Sequence, residues 1–322
     1  MTRLITGGTG FIGAELARIL VGRGEDVVLF DIAVNRNRID DIEKKVKIVQ
    51  GNLSNWSEVM NVVKDYNIKS IYHMASMLSV PSNANPWASF QVNVIGTYNI
   101  MEAARLFDVE KFVFTSTLGT YGLEAGEVIT DTTIQRPVIM YGIGKVYCEG
   151  LGRFYRTKFG LDFRTIRYPA VVGPGVTTPG AAQWFPWMIE HAILGKPYEC
   201  FVPEDTTAAA IYFKDGARAA DMVHEGPKNS IKMINYNVNG IVPAITAGEL
   251  AVVLKKRFPK TVVTFKPDPA VVAMLKSMKI KVFDDSCARK EWNWKPAYDK
   301  LDEIVSDFEK EMKEHPKRYG MA

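Results

Sequence analysis

The chain has 322 residues, 47% hydrophobic and 24% charged, with a formal net charge of +4. This is an ordinary globular composition, and so small and scattered a positive excess marks neither a nucleic-acid nor a membrane surface. Three scattered cysteines (Cys148, Cys200, Cys287) and four distant histidines exclude a disulfide framework and a metal constellation. The length suggests two domains or one large domain with a lobe. No apolar run is long enough to span a bilayer. A glycine-rich turn within the first ten residues argues against a signal peptide. The expected location is therefore the reducing cytoplasm.

The short apolar run Arg3-Leu4-Ile5 leads into Thr6-Gly7-Gly8-Thr9-Gly10-Phe11-Ile12-Gly13, followed by Ala14 to Leu20 with helical spacing. Strand, glycine turn and helix is the context of a dinucleotide fingerprint. Gly7, Gly10 and Gly13 let backbone N–H groups, including those of Phe11 and Ile12, approach a pyrophosphate at a helix N-terminus. Asp31 ends the second apolar run, Val27 to Phe30, where a carboxylate meets the ribose hydroxyls of the adenosine. It would repel a 2′-phosphate, favouring NAD over NADP, although Arg36 and Arg38 follow closely.

Strands are expected at Val46 to Gln50, Ser70 to Met74, Lys111 to Ser116 and Asp162 to Tyr168. Helices are expected at Trp56 to Tyr66, Pro86 to Phe107 and Ile139 to Phe159. This alternation predicts an α/β fold, a doubly wound parallel sheet with ligands at the carboxyl ends of its strands. After Pro169 the texture turns to loop, with Gly173-Pro174-Gly175 and Thr177-Thr178-Pro179-Gly180. Helices follow at Trp184 to Leu194 and Asp215 to Glu225, with a strand at Met233 to Asn237. Thr246-x-x-Glu249 is a capping box opening a helix to Arg257. A strand at Val262 to Lys266 and helices at Pro269 to Met278 and Leu301 to Glu314 complete the expected elements. Residues 1–169 with about 211–240 read as a Rossmann-type domain. Residues 170–210 and 241–322 read as a smaller α/β lobe for substrate.

Tyr141 and Lys145 lie four apart on a helix and share one face. A phenol is a poor base at neutral pH, and a nearby ammonium favours the phenolate and lowers its pKa. Thr117, at the carboxyl end of a strand, offers a hydroxyl to a substrate oxygen. Together the three side chains form a proton-transfer unit beside a nicotinamide. The bland alternatives are a surface Tyr–Lys contact and a threonine that only caps a turn.

In these motifs the chain resembles the extended short-chain dehydrogenase/reductase family over essentially its whole length. The resemblance covers Thr6 to Gly13, Asp31, His73-Met74-Ala75-Ser76, Asn93, Thr117, Tyr141, Lys145 and Arg167-Tyr168-Pro169. It implies that Asn52 and Leu53 flank the adenine, Asn52 standing where the family usually has Asp. It also implies that Met74, Ala75, Ser76 and Asn93 line the cofactor path, and that Tyr168 and Pro169 to Val171 lie against the nicotinamide carboxamide. The two long helices resemble the family's dimer-forming bundle, so a homodimer is expected.

Within the family the C-terminal half is similar to short-chain-type threonine dehydrogenases, at Tyr198 to Thr206 and Asp284 to Trp294. By that similarity Ser79, Thr178 and Gly180 touch substrate. One departure is the run Ala181-Ala182-Gln183-Trp184-Phe185-Pro186-Trp187, where two expected hydroxyl positions are Ala. Trp184 then either belongs to a lobe contact or closes over the pocket. The leading expectation is an NAD-dependent secondary-alcohol dehydrogenase acting on threonine, and the alternatives include a more apolar hydroxy or keto substrate. A nucleotide-sugar epimerase or dehydratase is another alternative. It would use an Asn and an Arg on the diphosphate, where this chain has Ala170 and Ala208. A non-catalytic NAD-binding regulator would have no need of Tyr141 and Lys145.

Overall fold

The computed structural model describes residues 1–276 and 280–321. Its centre is a seven-stranded sheet ordered Asn235–Asn237, Asp162–Tyr168, Lys111–Thr117, Ser70–His73, Thr2–Thr6, Asp26–Asp31 and Lys47–Gln50. All neighbouring strands run parallel. Leu4, Ile71, Val113, Phe114, Phe163 and Ile166 are fully buried, as a sheet covered on both faces requires. One face packs on Phe11–Gly22 and Phe213–Glu225. The other packs on Trp56–Asp65, Gly96–Leu106 and Met140–Phe159. The first strand lies between Ser70–His73 and Asp26–Asp31, so the strand order reverses there and opens a crevice at the carboxyl edge.

A further apolar core gathers Trp184, Phe185, Met188, Tyr198, Leu250, Val305 and Phe308. It is framed by a sheet of Ile241–Thr246, Thr207–Tyr212 and Ala170–Val172, and by the pair Tyr198–Cys200 and Val263–Phe265. The strand through Thr207-Ala208-Ala209-Ala210 escapes sequence reading because alanines carry little β preference. Pairing with Ala170–Val172 and Ile241–Thr246 sets it instead.

The helix expected over Pro86 to Phe107 is present to Leu106, with a change of winding inside it. Pro86–Ser89 runs into a π-helical turn, Phe90–Ile95, before Gly96–Leu106. A separate short helix, Ser79–Ala84, precedes it. The helix expected at Pro269 to Met278 runs from Pro269 to Lys276, and Ser277 and Met278 lie outside the described residues.

Candidate active site

The glycine turn forms a cradle that side chains would fill. Gly7 has φ +65°, and a Cβ there would lie 2.9 Å from the backbone of Ala75. A Cβ on Gly13 would lie 2.2 Å from the Gly7 carbonyl oxygen. Gly10 donates to that same carbonyl at 3.0 Å and caps the helix opened by Phe11 and Ile12 without any side-chain cap. A helix start left uncapped above a glycine cradle suits a pyrophosphate, by charge and by space.

Asp31 stands at the carboxyl end of its strand beside this turn. Its Oδ2 accepts from the Thr9 amide (3.1 Å) and the Thr9 hydroxyl (2.8 Å), and Oδ1 from the Ala33 amide (3.3 Å). Thr9, inside the glycine turn, thus aims the carboxylate, a role the sequence reading missed. Arg36 is paired with Glu43, while Arg38 lies over the Phe11 ring and donates to the Gly175 carbonyl at 2.9 Å. Both therefore have partners of their own. Asn52 accepts from the Ser54 amide at 2.9 Å, and buried Leu53 has its carbonyl held by Asn99 at 2.8 Å.

Asn93 explains the π-helical turn. Its Oδ1 accepts from the Met77 amide (2.8 Å) and its Nδ2 donates to the Met77 carbonyl (2.9 Å), pinning the loop after His73. One wider turn carries this side chain inward, and such π turns gather at functional sites. Ser76 also donates to Asn93 at 3.3 Å, and its hydroxyl lies near enough to the Tyr141 phenol to pull the phenol pKa down. The Ala75 amide donates to the Thr6 hydroxyl (3.3 Å), and the Met74 amide donates to the Thr6 carbonyl (3.2 Å). His73 is buried between Thr6 and Thr97, and burial pushes its pKa down to about 3, so it is neutral. Asn83 accepts from the Met140 amide at 3.0 Å, which ties the Ser79–Ala84 helix to the start of the Tyr141 helix.

Lys145 is buried one turn behind Tyr141. Its Nζ donates to the Thr115 carbonyl at 2.7 Å and lies 5.5 Å from the centre of the Tyr141 ring. Burial pulls its pKa down to about 8. The expected lowering of the phenol pKa is not what the geometry produces. Protein atoms crowd Tyr141, and burial pushes it up to about 12, against the downward pull of the Ser76 hydroxyl. The ammonium is directed at a carbonyl and a ring face rather than at the phenol oxygen. Thr117 ends the neighbouring strand, and its hydroxyl accepts from the Gly119 amide at 3.1 Å, so it does cap a turn.

Tyr168 turns its phenol away, to the Gly216 carbonyl in the core, which leaves its backbone at the strand end with buried Pro169 and half-buried Val171. Ser79, Thr178 and Gly180 are half-buried. Trp184 is expected either in a lobe contact or over the pocket. It is 1% exposed and packs edge-on against Phe185 inside the second core. The aromatic run is an amphipathic helix, Trp184–Ile193, whose apolar side had to be covered. Two open concavities on that core, lined by Glu204, Gly248, Val252 and Thr246 or Lys255, share no residue with this site. Among the described residues, no three His, Cys, Asp or Glu converge on a metal position, and no helix is long and apolar enough to cross a membrane.

The profile of the NAD dependent epimerase/dehydratase family matches residues 3–239. The chain belongs to that family. A Bos taurus protein named "L-threonine 3-dehydrogenase, mitochondrial" is 34% identical over 311 residues, 94% of this chain and 80% of its own length. The crystal structure of L-threonine dehydrogenase from Phytophthora infestans superposes with a TM-score of 0.87 at 30% identity, covering 98% of this chain and 99% of that one. A UDP-glucose 4-epimerase from Thermus thermophilus, solved in complex with NAD, gives a TM-score of 0.80 at 26% identity, covering 96% and 99%. The protein is an extended short-chain dehydrogenase/reductase, and its cofactor is NAD. The glycine cradle, the uncapped helix start and the aimed Asp31 carboxylate fit that cofactor.

Proposed function

We propose that this protein oxidises L-threonine at its β-carbon to 2-amino-3-oxobutanoate. The observation that carries the reading is Tyr141 with Lys145 buried one turn behind it, 5.5 Å from its ring centre, and Thr117 on the adjoining strand end. Similarity to named threonine dehydrogenases over 94% of the chain supports the choice of substrate.

Gly7, Gly10, Phe11, Ile12 and Gly13 hold the pyrophosphate, and Asp31 the adenosine ribose. Asn52 and Leu53 flank the adenine. Met74, Ala75, Ser76 and Asn93 line the path to the nicotinamide, which meets the strand end Tyr168-Pro169 and Val171. NAD, when bound, supplies the hydride acceptor. Tyr141 acts as its phenolate, taking the proton of the β-hydroxyl as the cofactor accepts the hydride, and Thr117 holds the same oxygen. Lys145 keeps a positive charge behind the phenol and binds the nicotinamide ribose. Ser79, Thr178 and the backbone at Gly180 hold the amino-acid end. Trp184, expected at the substrate, is buried in the second core, so any part it plays there is through packing.

The nucleotide-sugar reading is disfavoured by Ala170 and Ala208, which bring no donor where a diphosphate needs one. Steady-state assays of NADH formation on L-threonine, L-allo-threonine, L-serine and aromatic β-hydroxy amino acids test the proposal. L-Threonine should be turned over best. Turnover confined to a bulky alcohol would replace it with a dehydrogenase for a larger apolar substrate.

We also read residues 1–169 with about 211–240 as the cofactor domain, and 170–210 with 241–322 as the substrate lobe. The separate core around Trp184 and Phe308 supports this division. A homodimer is proposed through the two long helical segments, which expose Trp87, Tyr98 and Leu106 on one and Ile143, Tyr147 and Phe154 on the other. Sedimentation should give twice the 36.0 kDa chain mass. A cytoplasmic location accords with three free cysteines, of which Cys148 and Cys200 are buried.

A further inference from the structure

Behind the proton-transfer unit lies a buried ion pair that the proposed mechanism does not use. Glu149 follows Lys145 by one helical turn and Tyr141 by two, so all three share a face of the helix Met140–Phe159. Glu149 is 0% exposed and accepts five hydrogen bonds. Arg167 donates two of them, from Nε at 2.9 Å and Nη2 at 2.6 Å. Ser116 Oγ (2.6 Å), Gln135 (3.0 Å) and Asn235 (3.2 Å) donate the others.

Two of these donors, Ser116 and Arg167, come from the strands that end in Thr117 and Tyr168. Thr115, Ser116 and Thr117 are consecutive on one strand. Thr115 offers its carbonyl to Lys145, Ser116 its hydroxyl to Glu149, and Thr117 stands at the site. Two ties therefore staple the helix of Tyr141 to the strand of Thr117. Arg167 pairs in register with Ser116 on the next strand. Its Nη1 reaches the Tyr121 hydroxyl at 2.8 Å and the Asp131 carbonyl at 2.9 Å, which fixes the segment that follows Thr117. A planar guanidinium in bidentate contact sets geometry as well as charge.

The geometry points to Glu149 and Arg167 as positioning residues for the reaction. The pair holds the Tyr141–Lys145 face against the end of the Thr117 strand and so sets the rate of proton transfer without touching substrate or cofactor. The inference rests on the proposed role of Tyr141. The charged or titratable groups facing Lys145 are Tyr141, Cys148 and Glu149 from its own helix and neutral His73 from the Ser70–His73 strand. Those gathered at Glu149 are Arg167 and, beyond it, Tyr121 and Asp131.

The test uses three variants of the full chain. Ser116→Ala cuts one staple and leaves the ion pair intact. Glu149→Gln leaves Arg167 buried without its counter-ion and is the variant at risk of misfolding. Glu149→Gln combined with Arg167→Met removes both charges and restores compatibility with the interior. A positioning role predicts a kcat reduced by about 10-fold in Ser116→Ala and up to roughly 100-fold in the double variant, as expected for misplaced reacting groups. KM for L-threonine and the affinity for NADH should stay within about 3-fold, as an effect on rate rather than binding requires. A merely structural role predicts that the double variant regains melting temperature and kcat together, and that result overturns the inference.

Titration of the Tyr141 phenol by tyrosinate absorbance, with Tyr141→Phe as blank, is a second readout that needs no substrate. It should shift in both Ser116→Ala and the double variant, and an unchanged titration overturns the inference as well. Failure of the underlying reading looks different, because Tyr141→Phe itself would then keep its turnover.

Discussion

The amino edge of the central sheet and the Tyr141–Lys145 face at its carboxyl edge use charge in opposite ways, the saturated Glu149–Arg167 pair lying one turn behind that face. At the amino edge, Arg3 donates to Ser70 at 2.9 Å, contacts His224 at 2.7 Å and pairs with Glu25. Arg23 grips both oxygens of Asp221 at 2.7 Å. Arg164 donates to both oxygens of Asp162 and to the carbonyls of Val223, His224 and Gly226. Beside the crevice at the carboxyl edge, Lys145 has one carbonyl as its hydrogen-bond partner. A buried charge that the protein saturates holds elements together. A buried group with hydrogen-bonding capacity to spare is available to a ligand. The asymmetry follows from parallel strands, whose diverging loops leave the crevice at one edge only.

Removing the phenol oxygen at the unsaturated edge should have the largest effect. Tyr141→Phe is expected to lower kcat by about 10²–10⁴-fold while keeping NADH binding, which stopped-flow turnover and fluorescence titration would check. Retained turnover would erase the functional contrast between the edges. A cut in the second core should cost stability instead. Trp184→Ala is expected to destabilise by about 3–5 kcal/mol, the usual range for a buried aromatic. In chemical denaturation the midpoint should fall, while KM for L-threonine is unchanged in the molecules that remain folded. A raised KM with normal stability would return Trp184 to the substrate site.

The cofactor end of the cleft should respond in specificity. Wild-type kcat/KM should favour NAD strongly over NADP, and Asp31→Ala should narrow that ratio by about 10–100-fold, the worth of hydrogen bonds to a charged group. Equal values for wild type would point to Arg38 or Arg36 as phosphate ligands.

The smallest expected effect sharpens the comparison most. Lys145 has a pKa of about 8 in the folded chain against its usual 10.5. Between those values the unfolded chain binds more protons, so stability rises with pH across that window and is lowest below it. The charged form is penalised by ~3 kcal/mol, offset by about 1 kcal/mol from its hydrogen bond to Thr115. Lys145→Met should therefore raise Tm at pH 7 by roughly 2 °C. The gain should vanish above pH 10.5. A lower Tm at pH 7 would mean that Lys145 is as well paired as Arg164.

The sequence conveyed the cofactor half most clearly, because its signals are local. Gly7, Gly10 and Gly13 are dictated by backbone contacts within one turn, and Asp31 by its place at the end of an apolar run. Tyr141 and Lys145 share a helical face by spacing alone. Asn93 was singled out by resemblance, but its π turn was invisible, since the turn exists to reach the Met77 loop far along the chain. Trp184 was ambiguous for the opposite reason, because an apolar run reads alike whether it lines a pocket or fills a core.

Local pattern thus determined the parallel α/β architecture, the glycine cradle and the Tyr–Lys face, since each depends on neighbours within a few residues. Tertiary structure alone decided the direction of the Tyr141 and Lys145 pKa shifts, because desolvation depends on everything packed around a group. It also decided the five donors gathered at Glu149, which come from separate elements, and the burial of Trp184. Distances between residues far apart in sequence are set by how elements pack, and no spacing along the chain encodes them.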